Sequence, residues 1–92
     1  MKIAVYQRHI DRGFRGKNAE LICPIAIAAT EQIGFKMGVW HGKLWNIVTG
    51  DSYDLPEDVT RRYIKYDHTG IMKPFEFELE VLSEKLVAVA VA

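Results

Sequence analysis

Apolar residues in this chain recur with two spacings, and each spacing predicts one kind of element. Over 75–81 (FEFELEV) they alternate with glutamates. A period of two is typical of a strand with one buried face and one face in water. The segment 55–67 instead has a helical period, carried by Leu55, Val59, Tyr63 and Tyr66. This spacing predicts an amphipathic helix.

Proline, glycine and acidic residues mark where the helices begin and end. An earlier helix is predicted over 23–33 (CPIAIAATEQI), with Pro24 in its first turn and Gly34 as its C-terminal cap. For the helix at 55–67, Asp54 is the expected capping acid.

Strands are predicted on either side of the first helix. Residues 2–6 (KIAVY) are apolar enough for a first strand. The runs FKMGVWH and LWNIVTG flank Gly42-Lys43, and predict a hairpin whose type II′ turn begins at Gly42. Apolar residues lie on both faces of the second run. Residues 7–18 are expected to form a loop, or a loop around one short helical turn.

These elements predict an α+β domain in the order β-α-β-β-α-β, a small antiparallel or mixed sheet with two packed helices. A length of 92 residues with 49% apolar content accommodates one core. We assign residues 1–82 to that single domain. Residues 83–92 form a tail, either an additional strand or partly disordered, and an open sheet edge there would favour a homodimer.

The chemically reactive residues do not form a known catalytic or metal-binding pattern. The histidines are dispersed at 9, 41 and 68, and Cys23 is the single cysteine. Since no metal-ligand spacing occurs, we expect no metal, no cofactor and no enzyme activity. Cys23 lies among apolar residues, which predicts a buried and unreactive thiol. Without a disulfide pair or a long apolar run, we expect a cytoplasmic protein that has no membrane partner.

The formal charge is zero overall, but the N-terminal part of the chain is basic. We call its candidate partner-binding residues the basic segment: Arg8, His9, Arg12, Arg15 and Lys17. Arginines interleaved with Phe14 and glycines can bind an acidic protein surface. Alternatively they can hold the phosphates of a nucleic acid or nucleotide. A third interpretation is a solvated loop with Phe14 in the core.

Three stretches resemble small proteins of phages and prophages: HIDRGFRG, CPIAIA and YDLPEDVTRRYIKYDHTGIMKPFEFEL. The resemblance covers most of residues 5–79. It implies an accessory protein that binds and inhibits a host protein machine, as anti-CRISPR and other anti-defence proteins do. On this interpretation the basic segment contacts an acidic surface of the host protein. A nucleic-acid or nucleotide-binding module is the alternative function, followed by a small enzyme.

Overall fold

The structure is a computed structural model that describes residues 1–14 and 21–79. Within these residues it contains three helices, α1 (Gln7–Arg12), α2 (Pro24–Ile33) and α3 (Glu57–Thr69). It also contains five strands, β1 (Lys2–Val5), β2 (Met37–Trp40), β3 (Lys43–Asn46), β4 (Ser52–Asp54) and β5 (Phe75–Glu78). The predicted α+β class is confirmed. The tail at 83–92 lies outside the described residues, and no described helix is long and apolar enough to span a membrane.

The strands form two antiparallel sheets, β1-β5 and β2-β3-β4, where the sequence predicted one. The short helix α1 lies within the segment 7–18, where the sequence allowed one short helical turn, whereas β4 was not predicted. In the first sheet Ile3 pairs with Phe77 and Val5 pairs with Phe75. The pairing continues beyond the strand ends, because Met1 and Leu79 exchange backbone hydrogen bonds of 2.9 and 2.7 Å.

A side chain of α2 occupies the outer edge of β1 and closes that edge to another strand. In an antiparallel pair, alternate residues direct their backbone groups away from the partner strand. Ala4 is such a residue, and both of its backbone groups bond to Gln32. Its N–H donates to Gln32 Oε1 at 2.8 Å, and its C=O accepts from Gln32 Nε2 at 2.6 Å. The carboxamide thus takes the place that another strand would fill.

The helix α2 begins and ends as the sequence predicted. Pro24 is its first residue, and Gly34 ends it in the left-handed conformation with φ of 89°. Most apolar residues of α2 are buried, because the helix lies against strands of both sheets. They join one core cluster with strand residues and part of α3: Ile3, Val5, Ile25, Ala26, Ala28, Ala29, Met37, Val39, Leu44, Val59, Phe77 and Leu79.

The hairpin turn lies one residue earlier than the sequence predicted. Its central residues are His41 and Gly42, with φ of 52° and 72°, between the paired Trp40 and Lys43. Two positive φ angles define a type I′ turn, so the predicted type II′ turn is wrong. Type I′ geometry matches the right-handed twist of the strands. The turn is also fixed from outside, since the Gly42 N–H donates to the Tyr63 hydroxyl at 3.1 Å.

The start of α3 also differs from the prediction. Asp54 belongs to β4, where its carboxylate lies 3.3 Å from the Lys43 ammonium, so it does not cap the helix. Pro56 is the residue before the first turn. The predicted apolar stripe is nevertheless confirmed, because Leu55, Val59 and Tyr66 are buried. Tyr63 is partly buried against the same core.

The substitution Val59→Asp tests the packing of α3. Val59 is 0% exposed, so the new carboxylate would be buried without a partner. We expect a loss of roughly 3–5 kcal/mol in the free energy of unfolding, measured by urea denaturation. Ile64→Asp is the matched control, since Ile64 is 45% exposed on the same helix. The control should change stability by at most about 0.5 kcal/mol. Equal stability of the two variants would contradict the packing.

Candidate functional site

The basic segment begins on α1, which fixes its first two residues. The backbone N–H of Tyr6, the residue before the helix, donates to His9 Nδ1 at 2.9 Å. This bond caps the first turn. The His9 ring is 0% exposed, which places it inside the molecule although its neighbours are polar. His9 therefore offers no surface to a partner.

The other nitrogen of His9 joins α1 to α2. Nε2 lies 2.7 Å from Glu31 Oε2. Since Nδ1 accepts a hydrogen bond from Tyr6, the ring proton is on Nε2 and is donated to the carboxylate. Both ring nitrogens have partners and neither reaches solvent, so His9 is not placed to act as a general base. Its role in this structure is to hold two helices together.

Arg8 is exposed but bound to the same carboxylate. Its guanidinium forms a salt bridge with Glu31 Oε1, and it lies over the Tyr6 ring at 4.8 Å from the centroid. The hydrogen bond from His9, and then the one from Arg8, lower the pKa of Glu31 below its usual value. Each of the two carboxylate oxygens thus binds one residue of the basic segment. The contacts with Glu31 and Tyr6 fix the orientation of the Arg8 side chain.

The variant Glu31→Gln tests this arrangement through pH. A carboxyl group whose pKa is lower in the folded state stabilises the fold above its unfolded pKa, near 4.5. This contribution is lost as the pH falls through the lower folded value. We expect Glu31→Gln to be less stable than the parent at about pH 7, and the difference to shrink below about pH 4.

Urea denaturation at several pH values measures that difference. Glu57→Gln is the control, because Glu57 is an exposed residue with a distant pairing to Arg61 at 3.6 Å. The stability of Glu57→Gln should stay close to that of the parent at every pH. A stability difference for Glu31→Gln that is the same at both ends of the pH range would contradict the carboxylate's role.

The chain after α1 runs close to the start of α2. A Cβ on Gly13 would lie 2.5 Å from Pro24 Cγ, so only glycine permits this approach. The next residue, Phe14, donates its N–H to the Ile22 carbonyl at 2.9 Å. Phe14 is 63% exposed, and the interpretation that places it in the core is wrong. Arg12, the last residue of α1, is also exposed.

Arg15 and Lys17 lie outside the described residues. The chain that carries them leaves the described part at Phe14 and returns at Leu21. Because Phe14 is hydrogen-bonded to Ile22, the described residues on either side of the stretch 15–20 lie close together. The structure therefore brings Ile22 and Phe14, which follows Arg12 by two residues, to one place.

Next to that place lies an apolar groove of about 410 Å³, which we call the tryptophan groove. It is lined by Leu21, Gly38, Trp40, Trp45, Asn46, Ile47 and Gly50. Strand alternation explains it, because Met37, Val39 and Leu44 face the core while the residues between them face outward. Gly38 pairs with Trp45, so no side chain fills the space beside the indole.

The tryptophan groove has fixed walls. Trp45 Nε1 donates to the Trp40 carbonyl at 3.3 Å, which orients one indole against the other strand. The His41 ring lies 4.5 Å from the Trp40 ring. On the far side, Asn46 Oδ1 accepts hydrogen bonds from the backbone N–H groups of Val48 and Thr49. These polar groups are used in holding the turn, and the groove itself presents mainly carbon.

Comparisons with protein-family models, with curated proteins and with solved structures found no match. The function of the chain therefore has to be inferred from this surface. Within 1–14 and 21–79, no cluster of three or more histidine, cysteine or carboxylate side chains is placed to hold a metal ion.

The groove was not predicted from the sequence, although the sequence contains a signal for it. Leu44 and Asn46 alternate with Trp45 and Ile47, so both faces of this strand carry large apolar residues. A hairpin that is apolar on both faces buries one of them and leaves the other exposed unless something covers it. Trp40 is 55% exposed on that outer face. The basic segment stays a prediction: His9 is enclosed, Arg8 is paired with Glu31, and Arg12 is exposed.

Cys23 lies before α2 and is buried. Its Sγ accepts a hydrogen bond from the Ala26 N–H at 3.4 Å. Burial raises the pKa of Cys23 to about 11, so the group is a neutral thiol at physiological pH. The stabilisation of a thiolate by the helix N-terminus is thus outweighed by the loss of solvent.

We expect Cys23 to react with a thiol reagent only when the fold opens. Labelling in native buffer at about pH 8 should be slower by orders of magnitude than in concentrated urea, where the thiol is exposed. Rapid stoichiometric labelling of the native protein would contradict this assignment.

Proposed function

We propose that this protein is a small binding module that docks a partner protein on the tryptophan groove, with the available residues of the basic segment beside it. The observation that carries the proposal is the position of two outward-facing tryptophans beside Leu21, the first described residue after the chain stretch that carries Arg15 and Lys17. The partner would insert an apolar side chain into the groove and place acidic residues against the arginines.

Exposed apolar surface supports this proposal. Soluble proteins leave large contiguous apolar patches open mainly where they bind something. Large apolar side chains other than the tryptophans are also exposed in the groove and on residues adjacent to it in the chain or hydrogen-bonded to such a residue: Phe14, Leu21, Ile22, Ile47 and Val48. Tryptophan is also among the residues that contribute most to binding energy in protein interfaces. A buried indole removes a large apolar area from water while fixing few torsions.

Preorganisation supports it as well. The hairpin that carries both tryptophans has a type I′ turn, and the turn is tied to α3 through Tyr63. The Trp45 indole is held by its bond to the Trp40 carbonyl. A rigid surface loses little conformational entropy when a partner binds, so more of the contact energy appears as affinity.

Charge defines the partner's chemistry. Arg8 already shares Glu31 with His9, and His9 is enclosed, so these two residues contribute little to the contact. Arg12 is exposed and follows them at the end of α1. Arg12, Arg15 and Lys17 are the cations we assign to the partner's acidic side. Their electrostatic attraction raises the association rate and selects against basic partners.

The resemblance to small phage proteins extends the proposal to the partner's identity. A chain of this kind would act in the bacterial cytoplasm, by occupying an acidic surface of a host protein machine and so inhibiting it. This part of the proposal depends on the resemblance alone, whereas the binding surface depends on the geometry.

A peptide-display selection against the immobilised protein tests the surface and does not require the host protein to be identified first. We expect selected peptides to combine one aromatic or aliphatic anchor with flanking acidic residues. Trp40→Ala should weaken their binding by roughly tenfold or more, as loss of an interface hot spot does. Arg12→Glu together with Arg15→Glu should also weaken it, most strongly at low salt.

Ile64→Ala is the matched control, an exposed apolar residue on α3, and it should bind like the parent. Peptides whose affinity is unchanged by Trp40→Ala would remove the groove from the proposal. Tight RNA or DNA binding, with affinity that falls steeply with salt and depends on the same arginines, would favour the nucleic-acid alternative instead. The same Trp40→Ala comparison, made on proteins captured from bacterial lysate, tests the host partner.

A further inference from the structure

A second cavity lies on α3 and the chain that follows it, away from the tryptophan groove. It has a volume of about 240 Å³ and is lined by Arg62, Lys65, Ile71, Met72 and Lys73. Three of these five residues are cationic, and the described lining contains no carboxylate. This composition differs from that of the tryptophan groove, which has no charged residue in its described wall.

The local fold explains why these cations converge. Arg62 and Lys65 are three residues apart on α3 and so lie on the same face of the helix. Gly70 ends the helix in the left-handed conformation with φ of 72°, which turns the chain back. A bond of 3.2 Å from the Ile71 N–H to Thr69 Oγ1 then secures the turn. Lys73 is thereby brought beside residues that precede it by two helical turns or more.

The side chain of Arg62 is held in place, but its charge is not closely paired with the Asp58 carboxylate. Its guanidinium lies over the Phe75 ring at 4.7 Å from the centroid, and its Nε is 4.0 Å from the Asp58 carboxylate. A separation of 4.0 Å is longer than a hydrogen bond. The aromatic contact therefore orients the guanidinium and leaves its donors available at the cavity.

The two lysines have no ion pair within the part of the chain that the structure describes. One alternative role for Lys65 is to complement the partial negative charge at the end of α3. The backbone there already has partners, because the Lys65 carbonyl accepts from Thr69 Oγ1 at 2.7 Å and the Tyr66 carbonyl from the Gly70 N–H. The end of α3 therefore does not require Lys65. A role at the helix end would also not account for Lys73, which follows the helix.

We propose that this cavity is a binding site for a phosphate monoester group. Three cations around one cavity repel one another, and an anion bound among them relieves that repulsion. The planar guanidinium of Arg62 suits bidentate contact with phosphate oxygens, and the lysines add point charges. A volume of about 240 Å³ is below the range typical of pockets that bind whole drug-sized ligands. It fits the phosphate and a short stem against Ile71 and Met72.

Calorimetric titration tests the site with inorganic phosphate and phosphoserine as probes, at constant ionic strength maintained with chloride. Saturable binding with one site is expected for both, and acetate should bind much more weakly. Lys65→Gln together with Lys73→Gln should weaken phosphate binding by about tenfold or more, as expected when charge-assisted hydrogen bonds are lost. Neither lysine has a described packing role, so the double variant should keep its fold, as circular dichroism will verify.

Lys36→Gln together with Arg61→Gln is the matched control, with the same change in net charge at exposed positions outside the cavity. It should bind phosphate like the parent. Equal weakening in both double variants would show a general charge effect and overturn the proposal. Non-saturable titration, or acetate binding as tight as phosphate, would overturn it too. None of these measurements involves Trp40, so the phosphate-site proposal can be overturned without affecting the proposed protein-binding function.

Discussion

The contact between His9 and Glu31 is the interaction on which the N-terminal half of this fold depends. It places a fully buried imidazole between two short helices, with a backbone donor on one ring nitrogen and a carboxylate on the other. A buried polar group left without its partner costs about 1–3 kcal/mol, so this geometry is strongly selected over others. The neighbouring residue, Gln32, adds two bonds to the edge of β1. Consecutive residues of α2 thus fix both α1 and β1.

This constraint divides the basic segment into two parts with different roles. Arg8 and His9 contact Glu31 and stabilise the fold, whereas Arg12 lies outside that network and is exposed. Part of the positive charge near the N-terminus is therefore explained by contacts within the fold. With α1 held on α2, Gly13 lies close to Pro24, and the Phe14 N–H donates to the Ile22 carbonyl. These contacts place Phe14 beside Ile22, the residue that follows Leu21 of the tryptophan groove.

Dividing the strands between two sheets has a second consequence for function. The three-stranded sheet is separate from β1, whose outer edge Gln32 occupies, and its outer face leaves Trp40 and Ile47 exposed. Gly38 then leaves space beside Trp45, and the face becomes a groove instead of a flat surface. The same sheet buries Met37, Val39 and Leu44 on its inner side, so one small hairpin supplies both part of the core and the exposed groove.

The sequence by itself determined the α+β class, the bounds of α2, the buried stripe of α3 and the alternation of β5, because periodicity and capping residues act locally. Tertiary structure decided what depends on partners distant in the chain. The Gln32 amide at a strand edge has no periodic signature, and neither does a buried histidine amid polar residues. The type I′ turn required His41 at positive φ, which any sequence rule centred on glycine places one residue later. The groove and the cationic cavity on α3 likewise arise from residues that only folding brings together, since a cavity depends on relative positions and not on composition.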